Sequence, residues 1–480
     1  MPQLHEPQNN SVESPSGTRP QRLVGDARTA NRPIPRASDA KRPKRNRFLP
    51  RWGGAKPRLP RDLPRRTRER QEKRRLHWGL ILILVVTICF GLIMLYSASM
   101  TRSLTEVGNT TSYISRQITV TLVGVVIAYF ITRIDLELFN KRSFVLIFWL
   151  VTMVFLLATL FPQLGGIEKN GHRRWWGFGE NLSFQPSEIA KIGVVYILAA
   201  YYSTLQKKRE AGELVSKTPA KQKWFDGFLE VFLPFIIFGI WWLPIFFQSH
   251  ISVIIIMVAL LGLLMISSGV SFKSLLTGGS MLLVLGLAGI LLLSALRPVL
   301  GDQFGSRWDH LQQRIMIFTE SDDADKDDTW QRDQAELAIG SGGLLGQGIG
   351  QGKQKYNYLP EGHNDYIFSN IVEEVGFLGG LLVIVLFVLF LVVGMRIASQ
   401  APSLYLYVLA IGATYIIALQ AFLSIGVNVE TVIPTGISLP FFSYGGSGNL
   451  FFLIAVGILL NVSRQRKTRK TVLSLQRGVS

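Results

Sequence analysis

An all-α, polytopic membrane fold is predicted by three observations. Of the 480 residues, 48% are hydrophobic. The chain holds ten mostly apolar runs of about the length that crosses a hydrocarbon core as helix. Each run is far longer than a barrel strand, and lipid offers backbone groups no water, so the spans must be helices.

The runs are 79–99, 113–134, 143–161, 187–202, 229–247, 251–268, 275–296, 366–397, 404–427 and 449–463. Residues 1–76 precede them and hold 21 Lys/Arg against 7 Asp/Glu, so +14 of the net +19 belongs to this tail and +5 to the rest. The tail is rich in Pro and Arg and lacks apolar periodicity, so it reads as a disordered cytoplasmic arm that fixes topology and lies on anionic lipid. Nucleic acid is not an expected partner, since the body is nearly charge-balanced. The first apolar run starts too far along for a cleavable signal peptide. Residues 464–480 form a second basic tail. With both termini inside, the Lys/Arg-bearing connections all fall on the cytoplasmic side. The single cysteine, Cys89, lies in the first span and reads as a structural thiol facing lipid. No 20–50-residue repeat is present.

Unusual residues gather in the connections expected outside. In GHRRWWGFGENLSFQPSEIAK, Arg173 and Arg174 could clamp a phosphate or diphosphate, while Trp175 and Trp176 suit the interface. Glu188 and Lys191 follow at i, i+3, a spacing that gives a local ion pair. Inside a span such charges usually line a cavity or pathway. The turn Gln248–His250 joins spans five and six with no length to spare.

The connection 297–365 is the long one, and unstructured loops of that size are usually functional or disordered. Its Asp322, Asp323, Asp325, Asp327 and Asp328 form the densest acidic cluster outside the tail. Such a run is a solvated loop, a weak divalent-cation site, or the source of a general base whose pKa is raised by like charges. A glycine-rich stretch, 340–352, interleaves Leu344, Leu345 and Ile349, which suggests a re-entrant or membrane-surface segment and not a spacer. Glu361, His363 and Asp365 lead into span eight, where Glu373 and Glu374 sit two turns in on different faces and are expected to meet donors from other helices. His363 could shuttle a proton or hold a metal, or be a hydrogen-bonded structural residue. No zinc-site spacing is present. The last outer connection, IPTGISLPFFSYGGSGN, with Ser443 and Ser447, fits an anion nest or a re-entrant turn equally well.

Three of these stretches resemble the FtsW/RodA (SEDS) family of bacterial peptidoglycan synthesis: RRWWGFG with FQPSEIAK, AIGSGGLLGQGIGQGKQKYNYLPEGHNDYIFSNIVEEVG, and PTGISLPFFSYGGSG. The likeness spans nearly everything after residue 76 and is nearer the FtsW branch through LPEGHNDYIF. It implies a SEDS domain over 77–463, in the bacterial plasma membrane and at the division septum. It implies an enzyme that polymerises lipid II on an undecaprenyl-diphosphate glycan chain, beside a class B penicillin-binding protein and other divisome proteins.

The family's essential aspartate precedes a Tyr-Gln or Trp-Gln pair, here Trp330-Gln331, which points to Asp325, then Asp322 and Asp323. The local DDADKDD departs from the family pattern. So does Gln248-Ser-His250, which weakens any role for His250. In the expected mechanism an aspartate deprotonates the acceptor, and Arg173, Arg174 and Lys191 stabilise the leaving diphosphate, helped by a divalent ion (Mg2+ or Mn2+). Glu188, Glu361, Asp365, Glu373 and Glu374 organise a cavity among spans four, seven, eight and ten. A lipid II flippase and a scaffold without chemistry are the rival readings.

Overall fold

The computed structural model describes residues 76–169, 172–177, 183–214, 218–300, 326–356, 358–359, 361–433 and 436–465. The basic tails and the aspartates Asp322, Asp323 and Asp325 lie outside this set.

The helices are α1 (Trp78–Val107), α2 (Ser112–Ile131), α3 (Arg142–Ala158), α4 (Pro186–Glu210), α5 (Pro219–Gly227), α6 (Leu233–Phe247), α7 (Ile251–Ser267), α8 (Phe272–Leu300), α9 (Lys326–Gly342), α10 (Ile367–Ser399), α11 (Leu404–Asn428) and α12 (Gly446–Arg464). A π-turn, Phe228–Phe232, joins α5 to α6, and Lys221–Phe247 makes one span. Among the described residues eight spans are long and apolar enough to cross a bilayer, and α3 and α7 are shorter apolar helices. All ten coincide with the runs expected from hydropathy. Where helices start and stop follows local chemistry. The His77 ring accepts from Leu80 N at 3.1 Å, and Gly108 ends α1 with φ 74°. Pro186 opens α4, which has Glu188 in its first turn and Lys207, Lys208 and Arg209 in its last, matching the helix dipole.

Burial sorts the bundle. In α11, 78% of the apolar window is buried, against 11% in α8. The core is therefore α11, flanked by α4, α7, α10 and α12, with α8 at the edge against α5 and the π-turn. In α2 the buried residues are Gln117, Thr121, Gly124 and Ala128, spaced along one face, while Leu122, Val123, Val125 and Val126 are exposed. Small and polar residues inside with large apolar ones outside is the pattern of a helix solvated by lipid. The chain is a multi-pass membrane protein. Cys89 is a free, exposed thiol on α1.

Four local expectations need correction. The connection carrying RRWW forms a three-stranded antiparallel sheet, Gly166–Lys169, His172–Gly177 and Ser183–Phe184, on which Trp176 packs with Phe155 and Phe184. The long outer connection carries helix, because α8 runs on to Leu300 and α9 occupies Lys326–Gly342. The eighth span is broken, since Gly376 has φ 76° and ψ −174°. The Gln248–His250 turn is buried and heavily bonded, so it is no bare linker.

Candidate functional site

At the start of α4, Lys191 Nζ lies 2.8 Å from Glu188 Oε1 and donates to Gln420 Oε1 of α11 at 2.6 Å. Gln420 in turn donates to Ser438 O at 3.2 Å and Ser438 Oγ at 3.3 Å, and the ammonium stands 5.7 Å from the centre of the Phe452 ring. Both charged side chains are buried. Glu188 Oε2 is buried as well and has no protein hydrogen-bond partner. A buried carboxylate with one oxygen satisfied and one open is an acceptor for a hydroxyl or a cation.

Around Gly376 the glycine-rich stretch completes the broken α10. Gln347 N and Gly348 N donate to Glu373 O and Glu374 O at 2.9 Å each, while Phe377 N and Leu378 N donate to Gly343 O and Leu344 O at 2.9 and 3.3 Å. The loop backbone thus caps both half-helices where lipid could not. A Cβ at Gly346 (φ 79°) would meet Glu374 O, so the approach requires glycine. Both glutamates hold this loop. Glu373 accepts from Lys353 N at 2.7 Å and Gln354 N at 3.3 Å, and Glu374 accepts from Gly350 N at 3.1 Å, Ser97 Oγ at 2.6 Å and Lys355 Nζ at 3.1 Å. The expectation of donors from other helices thus holds for Glu374 through Ser97 of α1. Glu373 instead meets loop backbone.

The rim is aromatic and charged. Arg102 bonds Glu106 at 2.7 Å and reaches Glu361 at 3.8 Å, and Tyr113 donates to Glu106. The His363 ring lies edge-on to Tyr113, with centroids 5.4 Å apart, and its carbonyl accepts from Tyr444 N at 3.0 Å. Burial first, and the Arg102 cation second, push His363 down to about 4 against the opposing pull of Glu106. The imidazole is therefore neutral at pH 7. Asp365 O accepts from Asn428 Nδ2 at 2.9 Å, and a Cβ at Gly436 would come within 2.8 Å of Asp365 Oδ2. Ser443 Oγ accepts from Leu439 N and donates to Asn364 O, both at 2.7 Å. These bonds tie the LPEGHND and FFSYGG segments together. Ser447 is buried in the first turn of α12.

The two arginines part ways. Arg173 is exposed and pairs with Glu168 at 3.0 Å, while Arg174 donates to Gln248 O at 3.1 Å and Ser249 O at 2.6 Å. Trp330 Nε1 donates to Tyr358 O at 3.3 Å, so the described end of the acidic connection is tied to the segment that leads into Glu361. Among the described residues no three His, Cys, Asp or Glu side chains converge as metal ligands do. Asp322, Asp323 and Asp325 of the acidic cluster, where a divalent ion is expected, lie outside them. Lys355, buried on Glu374, was not anticipated, because a lysine among Gly, Gln and Tyr carries no periodic signal.

A family model described as cell cycle protein, FtsW/RodA/SpoVE, matches residues 77–468. Stage V sporulation protein E of Bacillus subtilis is 33% identical over 388 residues, 80% of this chain and 96% of its own length. A probable peptidoglycan glycosyltransferase FtsW of Trichlorobacter lovleyi is 32% identical over 386 residues, 80% of this chain and 92% of its own. Among solved structures, a chain from work on polymerization and crosslinking by a peptidoglycan synthase complex aligns with TM-score 0.57 and 21% identity, over 82% of this chain and 99% of that one. The rod shape determining protein RodA of Thermus thermophilus aligns with TM-score 0.51 and 21% identity, over 82% and 98%.

Proposed function

The chain belongs to the FtsW/RodA/SpoVE family, and from that premise we propose that it is a peptidoglycan glycosyltransferase that polymerises lipid II into glycan strands. Relatives at about one-third identity along most of their length carry that name. The observation that carries the reading within the fold is the buried Glu188–Lys191 pair with its open Glu188 Oε2. Glu230 Oε2, in the Arg209 pair, is buried and unbonded too, so the open oxygen gains its meaning from its place beside Lys191 in the FQPSEIAK stretch.

In the proposed reaction an aspartate of the 322–328 cluster, Asp325 first and then Asp322 or Asp323, takes the proton of the acceptor's GlcNAc 4-hydroxyl. That oxygen attacks the donor's anomeric carbon, the bond to the diphosphate breaks, and undecaprenyl diphosphate leaves with the electron pair. One displacement turns an α link into a β link, so no covalent sugar intermediate is required. Lys191 and Arg173 supply positive charge toward the leaving group, whereas Arg174, engaged on two carbonyls, acts on the scaffold. Glu361, His363, Asp365, Glu373, Glu374, Ser443 and Ser447 hold the outer segments in place. A divalent cation, Mg2+ or Mn2+, held by carboxylates of the 322–328 cluster would add positive charge at the departing diphosphate.

We assign the outer connections to the face opposite both termini. A class B penicillin-binding protein is the proposed partner, supported by the fold shared with a chain of a complex that polymerises and crosslinks. Septal placement, other divisome proteins and anionic lipid under the basic tail belong to the same proposal, and the sporulation relative makes a sporulation role its competitor.

The test is polymerisation of labelled lipid II by the purified protein with its transpeptidase, comparing wild type with Asp325→Ala, Asp322→Ala and Asp323→Ala. Loss of strands in one variant whose complex still assembles identifies the base. Wild type that moves lipid II across liposomes and makes no polymer would replace the enzyme with a transporter.

A further inference from the structure

The Gln248–His250 turn is too well bonded for a linker. Ser249 holds φ 54° without being glycine, a conformation that persists only where its surroundings over-determine it. Three elements do so. Gln248 Nε2 donates to Leu156 O of α3 at 3.0 Å and to Thr159 Oγ1 just past its end at 2.8 Å. The Arg174 guanidinium, on the second strand, takes the turn's two successive carbonyls. His250 Nδ1 lies 3.1 Å from Gln185 Nε2 and 3.3 Å from Ser187 Oγ. An amide NH2 can only donate, so Nδ1 accepts and the ring proton sits on Nε2.

Gln185 is the N-cap of α4, yet its side chain makes no capping bond to its own helix. It goes to His250 instead. The first turn of α4 is thus held by a tertiary bond where most helices use a local one. One residue beyond Ser187 stands Glu188. Gln248, His250, Ser187 and Glu188 are all buried, so water is not at hand to replace a lost bond.

We infer that this turn is a positioning junction: Arg174 fixes the turn, His250 fixes the first turn of α4, and together they aim the Glu188 carboxylate at Lys191 and at whatever Glu188 Oε2 receives. The inference rests on the reading that this pair belongs to the transferase site. Arg174 and His250 touch no substrate in this scheme.

The experiment uses the full chain with its crosslinking partner and measures kcat and KM for lipid II in His250→Ala, His250→Asn, Arg174→Ala and the Arg174→Ala/His250→Ala double variant. His250→Ala lowers kcat about tenfold or more while KM stays within about twofold, the size of effect expected from one lost buried hydrogen bond. His250→Asn recovers most of it, since its amide oxygen can accept where Nδ1 does. Arg174→Ala gives the same pattern, and the double variant is no worse than the poorer single one, because both act through one turn. A raised KM in Arg174→Ala with multiplicative loss in the double overturns the inference and puts Arg174 on the diphosphate. Equal impairment of the Ala and Asn variants overturns it too. Amide hydrogen exchange of the 183–194 segment, without substrate, is the second readout. Faster exchange there in both single alanine variants supports the junction, and unchanged exchange overturns it. This measurement decides the junction even for a protein that polymerises nothing, an outcome that would sink the transferase reading alone.

Discussion

Two buried Lys–Glu pairs among the described residues have surroundings that differ in kind. Lys355–Glu374 joins a loop to a helix, and every oxygen of Glu374 is occupied: Ser97 reaches both, Lys355 holds one and Gly350 N the other. Lys191–Glu188 closes within one helix and leaves Oε2 open. The first pair is saturated and the second is not. Desolvating two charges is costly, and evolution keeps such a pair where it fixes a conformation or meets a ligand. Glu374 and Lys355 fix the loop on α10, and Glu188 and Lys191 keep one oxygen for a ligand.

The comparison breaks most visibly through Lys355→Met. Removing the cation leaves the Glu374 charge buried on a neutral loop, and the loss is about 3–5 kcal/mol, read as a lower melting temperature in detergent. Acid acts next, through His363 on the rim with Tyr113 and Tyr444. Its folded value of about 4 lies below the ordinary 6.5. The unfolded chain therefore binds the proton first, and stability is complete above pH 6.5 and drains away as pH falls toward 4. That drain approaches about 3 kcal/mol, and a His363→Gln variant loses less over the same window in a pH series of unfolding curves. Gly346→Ala forces a Cβ against Glu374 O at a left-handed position, costing about 1–3 kcal/mol, with slower exchange lost at Gln347 and Gly348. The smallest stability effect belongs to the open pair. Glu188→Gln with Lys191→Met removes both charges and leaves the unfolding midpoint within about 1 kcal/mol of wild type, yet glycan polymerisation drops by about a hundredfold or more. The matching double, Glu374→Gln with Lys355→Met, does the reverse in emphasis by loosening the loop.

The ten spans were legible because hydropathy over twenty residues is a strong, local signal, and it also found the short α3 and α7. What escaped it depended on backbone geometry or distant partners. The break at Gly376 is invisible to a hydropathy average, although two glutamates followed by glycine inside an apolar run were a hint. Gln248–His250 reads in sequence as a bare turn because its bonds reach 63 to 92 residues away. Arg173 and Arg174 read alike as phosphate ligands, and only the fold separates an exposed pair from a guanidinium spent on two carbonyls. Glu188 and Lys191, one helical turn apart, needed no distant information and were found at once.

The broken α10 also sets where this chain can be cut. Glu373 O, Glu374 O, Phe377 N and Leu378 N bond to backbone between Gly343 and Gly348, a stretch that the ribosome delivers before the helix that needs it. A carboxy-terminal half beginning at Ile367 would reach the bilayer without these four bonds, and a backbone group left unpaired in lipid costs several kcal/mol. One beginning ahead of Gly343 carries its own partners, so a split protein that reassembles in the membrane has its seam on the amino-terminal side of that glycine.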